Sequence, residues 1–347
     1  AGLPPWAVHM SGGKVVQDAA AMANRSAGGG SLGAAQNNWL LVLRALLRRA
    51  DLASLLVFGA WALLSLANRA FMAVEEALLY LHPLKHSPHI VWILGHQRSG
   101  TTNLEEALYE HKDAVYGQVY DAIFPSITLK LLFYPLRVLL EPLLKYFCDT
   151  ANHPASLELG LEEDLCLMHH GASHLFLIVH GLTRAVAPSR PGYYTRMTTY
   201  TDHHVAYIRR VVQRILWMRQ LTGRLSKDSV YFGKPLTFTK AVNLDKLLAA
   251  FPGSNIVLCI RDPMASFPSF VDLLASQTRT TPCDAAFREF VRKEAYEYSS
   301  DCYKGMLHIV TRDNSSMLRQ GRVVPVLFSD WVSGVEHKLA ILRYVSE

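Results

Sequence analysis

Cysteine is scarce: five in 347 residues, Cys148, Cys166, Cys259, Cys283 and Cys302, with no pair in a Cys-x-x-Cys spacing. A scattered, odd set points to neither a zinc site nor a complete disulfide framework, and it leaves the redox compartment open. Charge is also low, at 18% against 50% hydrophobic residues. That balance excludes the disordered class and leaves enough apolar mass for one large domain with a sizeable core. Lys plus Arg exceed Asp plus Glu by six, and the pI is near 9.0. The excess mildly favours anionic partners such as nucleotides, sulfated polymers or membrane surfaces, and is too small to indicate nucleic acid. The uncharged run from Leu52 to Ala67, sixteen residues, falls short of the roughly 20 that cross a bilayer. No internal repeat recurs at a fixed period.

What is present divides the chain into three stretches. Residues 1–38 form a Gly/Ala/Ser-rich tail; Gly28-Gly29-Gly30-Ser31-Leu32-Gly33 formally matches a dinucleotide fingerprint, but no strand precedes it, so a flexible tail is the expectation. Residues 39–88 are strongly apolar, interrupted by Arg44, Arg48, Arg49 and Asp51. They predict a helical segment that lies on, dips into or spans a membrane, with a long core-packing helix as the alternative. Membrane association is the expected location, in an undetermined compartment. Residues 89–347 are expected to form the main domain. The chain opens on Ala1, and Ala340 to Tyr344 reads as an unfinished helix, so a continuation beyond the C-terminus is expected.

Within the main domain, Ile90 to Leu94 reads as a strand that ends at Gly95 and leads into a helix over Thr101 to Glu110. Leu129 to Phe147 is leucine-rich and broken by Pro135 and Pro142, which predicts kinked or separate short helices. Further helices are expected at Leu159 to His169, Asp202 to Gly223 and Leu244 to Ala250, the last closed by Pro252-Gly253. Short strands are expected at Val230 to Phe232, Asn255 to Ile260 and Arg322 to Phe328. Alternation of strands and helices predicts an α/β fold: a P-loop-type parallel sheet with helices on both faces, plus the N-terminal apolar helical segment.

The segment Gly95-His96-Gln97-Arg98-Ser99-Gly100-Thr101-Thr102 has the glycine spacing of a P-loop, yet Thr101 stands where a nucleotide kinase or ATPase places its Lys. Backbone N–H groups in such a turn point at a phosphate, and the following helix adds its positive end. Arg98 supplies a fixed charge, while Ser99, Thr101 and Thr102 offer hydroxyl donors. Farther along, the strand Asn255 to Ile260 ends in Arg261-Asp262-Pro263, with Ser269 eight residues after Arg261. Arg at a strand end and Ser on the next helical turn can hold one phosphate between them.

Together the two segments resemble the family of sulfotransferases that use 3′-phosphoadenosine 5′-phosphosulfate (PAPS). In that family a loop of the form Pro-[Arg/Lys]-Ser-Gly-Thr-Thr binds the 5′-phosphosulfate, and an Arg and a Ser eight residues apart bind the 3′-phosphate. The resemblance assigns Arg98, Ser99, Gly100, Thr101 and Thr102 to the first site and Arg261 with Ser269 to the second. Gln97 departs from the usual Pro. The likeness extends from about Leu52 to Tyr344 and is nearest to the bacterial and algal type. Glu162-Glu163-Asp164-Leu165 resembles that group's acidic segment; Lys234-Pro235, Phe251-Pro252 and Leu327-Phe328-Ser329-Asp330-Trp331 are further marks. Relatives often carry His near positions 103 and 105, where this chain has Asn103 and Glu105.

The resemblance implies a sulfuryl donor, PAPS, an acceptor hydroxyl or amine of unknown identity, and no metal requirement. Positioning and electrostatics then dominate, with Arg98 and Lys234 opposite the departing phosphate. The candidate bases are Glu162, Glu163 and Asp164, with Glu105 as rival. Metal ligation by His169, His170 and His174 is the weaker reading of those histidines, because no acidic or Cys ligand accompanies them at a recognised spacing. Two other function classes remain open: a nucleotide kinase of the P-loop type, and a membrane-associated nucleotide-binding protein without a working base. Asn24-Arg25-Ser26 and Asn314-Ser315-Ser316 are glycosylation sequons, relevant only in a secretory lumen.

Overall fold

A computed structural model describes Leu47 and residues 52–148, 156–170, 198–276, 285–311 and 322–333. The tail 1–38, the arginines at 44, 48 and 49, His174, both sequons, Cys283 and the Ala340–Tyr344 stretch lie outside the described residues.

Strand β1, His89–Gly95, is the centre of the molecule. Its apolar run does not alternate because both faces are buried: Val91 and Ile93 pack on one side, Trp92 and Leu94 on the other. Strands β2 (Ala114–Val115), β3 (Val230–Gly233), β4 (Asn255–Ile260) and β5 (Val323–Leu327) complete a parallel sheet in the order β2-β3-β1-β4-β5. The chain leaves β1 toward β2 and β3 on one side and reaches β4 and β5 on the other. The crevice at the carboxyl ends of β1 and β4 is therefore the topological switch point, where ligands of open α/β sheets bind.

Helix α1 is Leu52–Leu81, α2 Thr101–Tyr109, α3 Val119–Ile123, α4 Ile127–Phe133 and α5 Arg137–Cys148. After them come α6 (Asp202–Leu221), α7 (Ala241–Ala250), α8 (Pro263–Ser276), α9 (Ala285–Thr311) and α10 (Phe328–Ser333). The predicted elements appear with small shifts at their ends, including separate short helices in the leucine-rich stretch, and two corrections stand out. The helix expected over Leu159 to His169 is instead a bridge between Gln118 and Gly160 followed by a 3₁₀ helix, Glu163–His170. Here the carboxylates of Glu163 and Asp164 bond to main-chain amides of Lys234 and Thr237, and these tertiary contacts override local helix propensity. In the leucine-rich stretch Pro135 sits in a 3₁₀ turn between α4 and α5, whereas Pro142 is carried inside α5. The last strand is shorter than expected, because Phe328 already begins α10.

Helix α1 buries Ser65, Asn68 and Glu75 against the fold beside Phe58 and Met72, and leaves Leu56, Leu63, Leu66, Val74 and Leu81 exposed. The buried polar groups are satisfied: the Asn68 amide donates to the Ile123 carbonyl at 3.2 Å and accepts from the Ser126 N–H at 3.2 Å. Glu75 accepts from Arg214 at 2.9 Å, from the Ser126 hydroxyl at 2.7 Å and from the Thr128 N–H at 2.8 Å. Burial pushes the Glu75 carboxyl up, but these donors outweigh it and hold the group below its usual range. Among the described residues no helix is long and apolar enough to cross a membrane.

Candidate active site

The phosphate loop is built by backbone geometry. Gly95 closes β1 opposite Cys259; a Cβ there would lie 2.8 Å from the Cys259 carbonyl oxygen and 2.8 Å from Ser99 Oγ. The loop then turns through Arg98, the only non-glycine residue of positive φ (67°) among the described residues. A left-handed arginine costs about 1 kcal/mol and is held by its surroundings. Its main-chain carbonyl accepts from Arg261 Nη1 at 2.7 Å, and its own Nε donates to Ser269 Oγ at 2.9 Å. Gly100, φ 86°, completes the turn; a Cβ on it would meet the Phe328 ring at 2.4 Å. Helix α2 starts at once, and the amides of its first turn have no intrahelical acceptor.

The two predicted phosphate sites, about 160 residues apart in sequence, thus form one cluster at the β1/β4 crevice. Arg98 bonds both Arg261, through its carbonyl, and Ser269, through its Nε, and the Arg261 guanidinium lies 4.4 Å from the Phe328 ring centroid. Ser99 differs from expectation in orientation: its hydroxyl is buried and donates back to the His96 carbonyl at 2.5 Å, shaping the loop rather than facing outward. Thr101 is also buried, whereas Thr102 Oγ1 lies 3.3 Å from Lys234 Nζ.

Lys234 organises the acidic residues. Its ammonium donates to Glu105 on α2 and lies 3.6 Å from Glu162. Its main-chain N–H donates to Glu163 at 2.6 Å, and the Tyr231 hydroxyl donates to the other Glu163 oxygen at 2.8 Å. Asp164 accepts from the Thr237 N–H at 3.0 Å and from its hydroxyl at 2.5 Å. Burial draws the Lys234 ammonium down, but Glu162, Glu105 and Glu163 outweigh it and keep the group charged. Burial raises Glu105, which Lys234 and Tyr109 partly offset. The Lys234 ammonium in direct contact limits that rise. The burden of burial falls on Glu163, whose carboxyl is pushed up to about 8, and on Asp164, raised by burial and by the Glu162 charge. Of the four candidate bases, Glu162 alone keeps appreciable exposure, 23% of its side chain.

The family model described as the sulfotransferase family matches residues 88–343. The chain belongs to the sulfotransferase family. Its fold is similar to that of sulfotransferase STF1 from Mycobacterium tuberculosis H37Rv, with a TM-score of 0.61 at 16% identity over 95% of this chain and 88% of that one. It is likewise similar to sulfotransferase STF9 from Mycobacterium avium, with a TM-score of 0.59 at 16% identity over 96% and 83% of the two chains. No curated protein matches it in sequence. The family's transferase chemistry fits a site rich in fixed cations, and among the described residues no group of three or more His, Cys, Asp or Glu is placed to hold a metal ion. His169 is engaged otherwise, between Ser65 Oγ at 2.9 Å and the Ala122 carbonyl at 2.9 Å.

Sequence reasoning missed the support beneath the loop in this sulfotransferase. Helix α9 packs behind it: the Ser299 hydroxyl is 2.8 Å from His96 Nε2, Tyr298 OH accepts from Gln97 at 2.6 Å, and the Tyr303 ring stacks on His96 at 5.3 Å. Burial holds His96 neutral, down to about 4. Thr239 Oγ1 closes the strand end, accepting from the Gly95 N–H at 2.9 Å and donating to its carbonyl at 3.0 Å. The signal for α9 was weak because Glu294, Ser299 and Ser300 share its buried face with Val291, Ala295, Tyr298, Cys302, Tyr303 and Met306, which blurs the apolar periodicity. Trp331 donates to Asn103 at 2.6 Å, which ties α10 to α2 at the place where relatives have histidine.

Proposed function

We propose that the protein transfers a sulfuryl group from PAPS to an acceptor hydroxyl or amine. The observation that carries this reading is the convergence of Arg98, Arg261 and Ser269 on one crevice beside the helix start of α2. Two phosphate-binding elements side by side suit a donor phosphorylated at both the 5′ and 3′ positions, and the Thr at position 101 leaves the loop without the lysine of ATP chemistry. The amides of the first turn of α2 and Arg98 would take the 5′-phosphosulfate, and Arg261 with Ser269 the 3′-phosphate.

In the transfer, the acceptor oxygen or nitrogen attacks sulfur in line, the S–O bond to the phosphate breaks, and the acceptor proton passes to a base. Lys234 beside Thr102 supports the leaving phosphate from the α2 side. Glu162 is the base favoured here: the oxygens of Glu163 and the Oδ2 of Asp164 already accept protein donors, and Glu105 is committed to Lys234 and Tyr109. Glu163 then serves as a positioning residue for the Lys234 backbone. Incubation with labelled PAPS and a panel of lipid, sugar, steroid and peptide acceptors tests the reading. Transfer to at least one class is expected, and Glu162→Gln should lower turnover by roughly a hundredfold with nucleotide affinity kept. Stabilisation by ATP in preference to 3′,5′-bisphosphoadenosine, with no sulfate moved, would refute it.

A further inference from the structure

At about 100° per residue, the exposed positions Leu56, Leu63, Leu66, Val74, Leu78 and Leu81 fall on one side of α1, opposite the buried Ser65, Asn68 and Glu75. The exposed charges of the helix lie off that stripe and turn inward: Arg69 donates to the His169 carbonyl, and Glu76 accepts from Arg214 at 2.9 Å. Burying polar groups while presenting leucine outward is the reverse of what water selects, so the outer face is built for an apolar surrounding. The face continues onto α4 and α5, where Leu131, Leu132, Val138 and Leu139 are more than half exposed. Leu64 and Ala67 of α1 pack into the same cluster as Phe133 and Leu140. Tyr80, 86% exposed, and Tyr134, 57% exposed, add amphipathic rings to this surface.

We propose that this face docks on an anionic lipid surface, with α1 lying in the plane of the interface rather than crossing it. The charge around the patch selects the occupant. Lys145 on α5, Lys85 beyond α1 and Arg210 on α6 are exposed basic groups. A cavity of about 420 Å³ between α1 and α6 is lined by Arg69 and Arg210 along the flank of the stripe, together with Glu76 and Tyr207. Of the acids nearby, Glu158 pairs with Arg137 and Glu141 with Lys145, while Glu76 shares Arg214 with Glu75, which leaves Lys85, Arg69 and Arg210 as the basic groups of this face without an acidic ion-pair partner among the described residues. A two-fold pairing of copies would set this basic rim against its own image, whereas anionic headgroups receive it favourably while the leucines enter the acyl boundary.

Flotation of the full chain with lipid vesicles tests the docking, and it needs neither donor nor acceptor, so its outcome is separate from that of the transfer assay. The protein should float with phosphatidylcholine vesicles containing about a third phosphatidylglycerol and partition at least about tenfold less into phosphatidylcholine alone. Leu63→Glu with Val74→Glu, and independently Leu139→Glu, should abolish flotation with the melting temperature kept, since all three positions are exposed. Arg210→Glu should remove the preference for anionic lipid. The proposal is overturned if the protein does not float, if the glutamate variants float as well as the parent, or if sedimentation velocity finds a dimer that Leu63→Glu dissolves while vesicles are ignored.

Discussion

At the scale of single residues, the site depends on fixed cations held by one another's neighbours. Arg261 contacts the Arg98 carbonyl through one nitrogen and the Phe328 ring through its face. Arg261→Ala should weaken 3′,5′-bisphosphoadenosine about ten- to a hundredfold, as expected for one charge-assisted bond, with much less effect on the analogue lacking the 3′-phosphate. Titration calorimetry with both nucleotides reads the difference, and equal losses would remove the 3′ assignment. Glu163 gives a pH signature. In the fold its carboxyl is pushed up to about 8, while in the unfolded chain it returns to the ordinary carboxylate range. Between those limits the native state binds the extra proton, so this contribution to stability is complete at low pH and is lost as pH rises through about 8. The slope is at most about 1.4 kcal/mol per pH unit. Glu163→Gln, which resembles the protonated form, should flatten that decline in urea unfolding measured across the window.

At the scale of elements, the loop between β1 and α2 works because three other pieces of chain press on it: β4 beside Gly95, α10 over Gly100, and α9 beneath His96 and Gln97. Gly100→Ala places a methyl in a left-handed residue against the Phe328 ring. A loss of about 1–2 kcal/mol in stability is expected, together with loss of the melting-temperature rise induced by 3′,5′-bisphosphoadenosine. An unchanged nucleotide response would mean that the turn tolerates rearrangement. The β1 strand, the loop spacing and the Arg261–Ser269 pair were legible because each is local: an apolar run, glycines at fixed intervals, an arginine at a strand end. The acidic segment was legible only as chemistry. Which of Glu162, Glu163 and Asp164 stays partly open was decided by Tyr231, Lys234 and Thr237, more than 60 residues away.

At the scale of the whole molecule, α1 belongs to the fold as well as to its surface. Arg214 on α6, almost completely buried, bonds Glu75, Glu76 and the Met72 carbonyl of α1. Arg214→Met should cost about 3–5 kcal/mol by leaving Glu75 buried without its cation, and adding Glu75→Leu should recover part of that loss, both read by urea unfolding. Deletion of residues 1–81 would strand the same arginine, so it should destabilise the main domain rather than trim an appendage. The sequence by itself determined the strand-and-helix alternation, the glycine-spaced loop and the Arg261–Ser269 pair proposed to bind phosphate, and the apolar character of residues 52–81, since periodicity and spacing within a short window carry all three. Tertiary structure alone decided that the two segments meet at the β1/β4 crevice, that Glu163 is buried while Glu162 is partly open, and that α1 turns its leucines outward. Those outcomes depend on which distant groups satisfy buried polar atoms, and that pairing is fixed only when the sheet order brings them together.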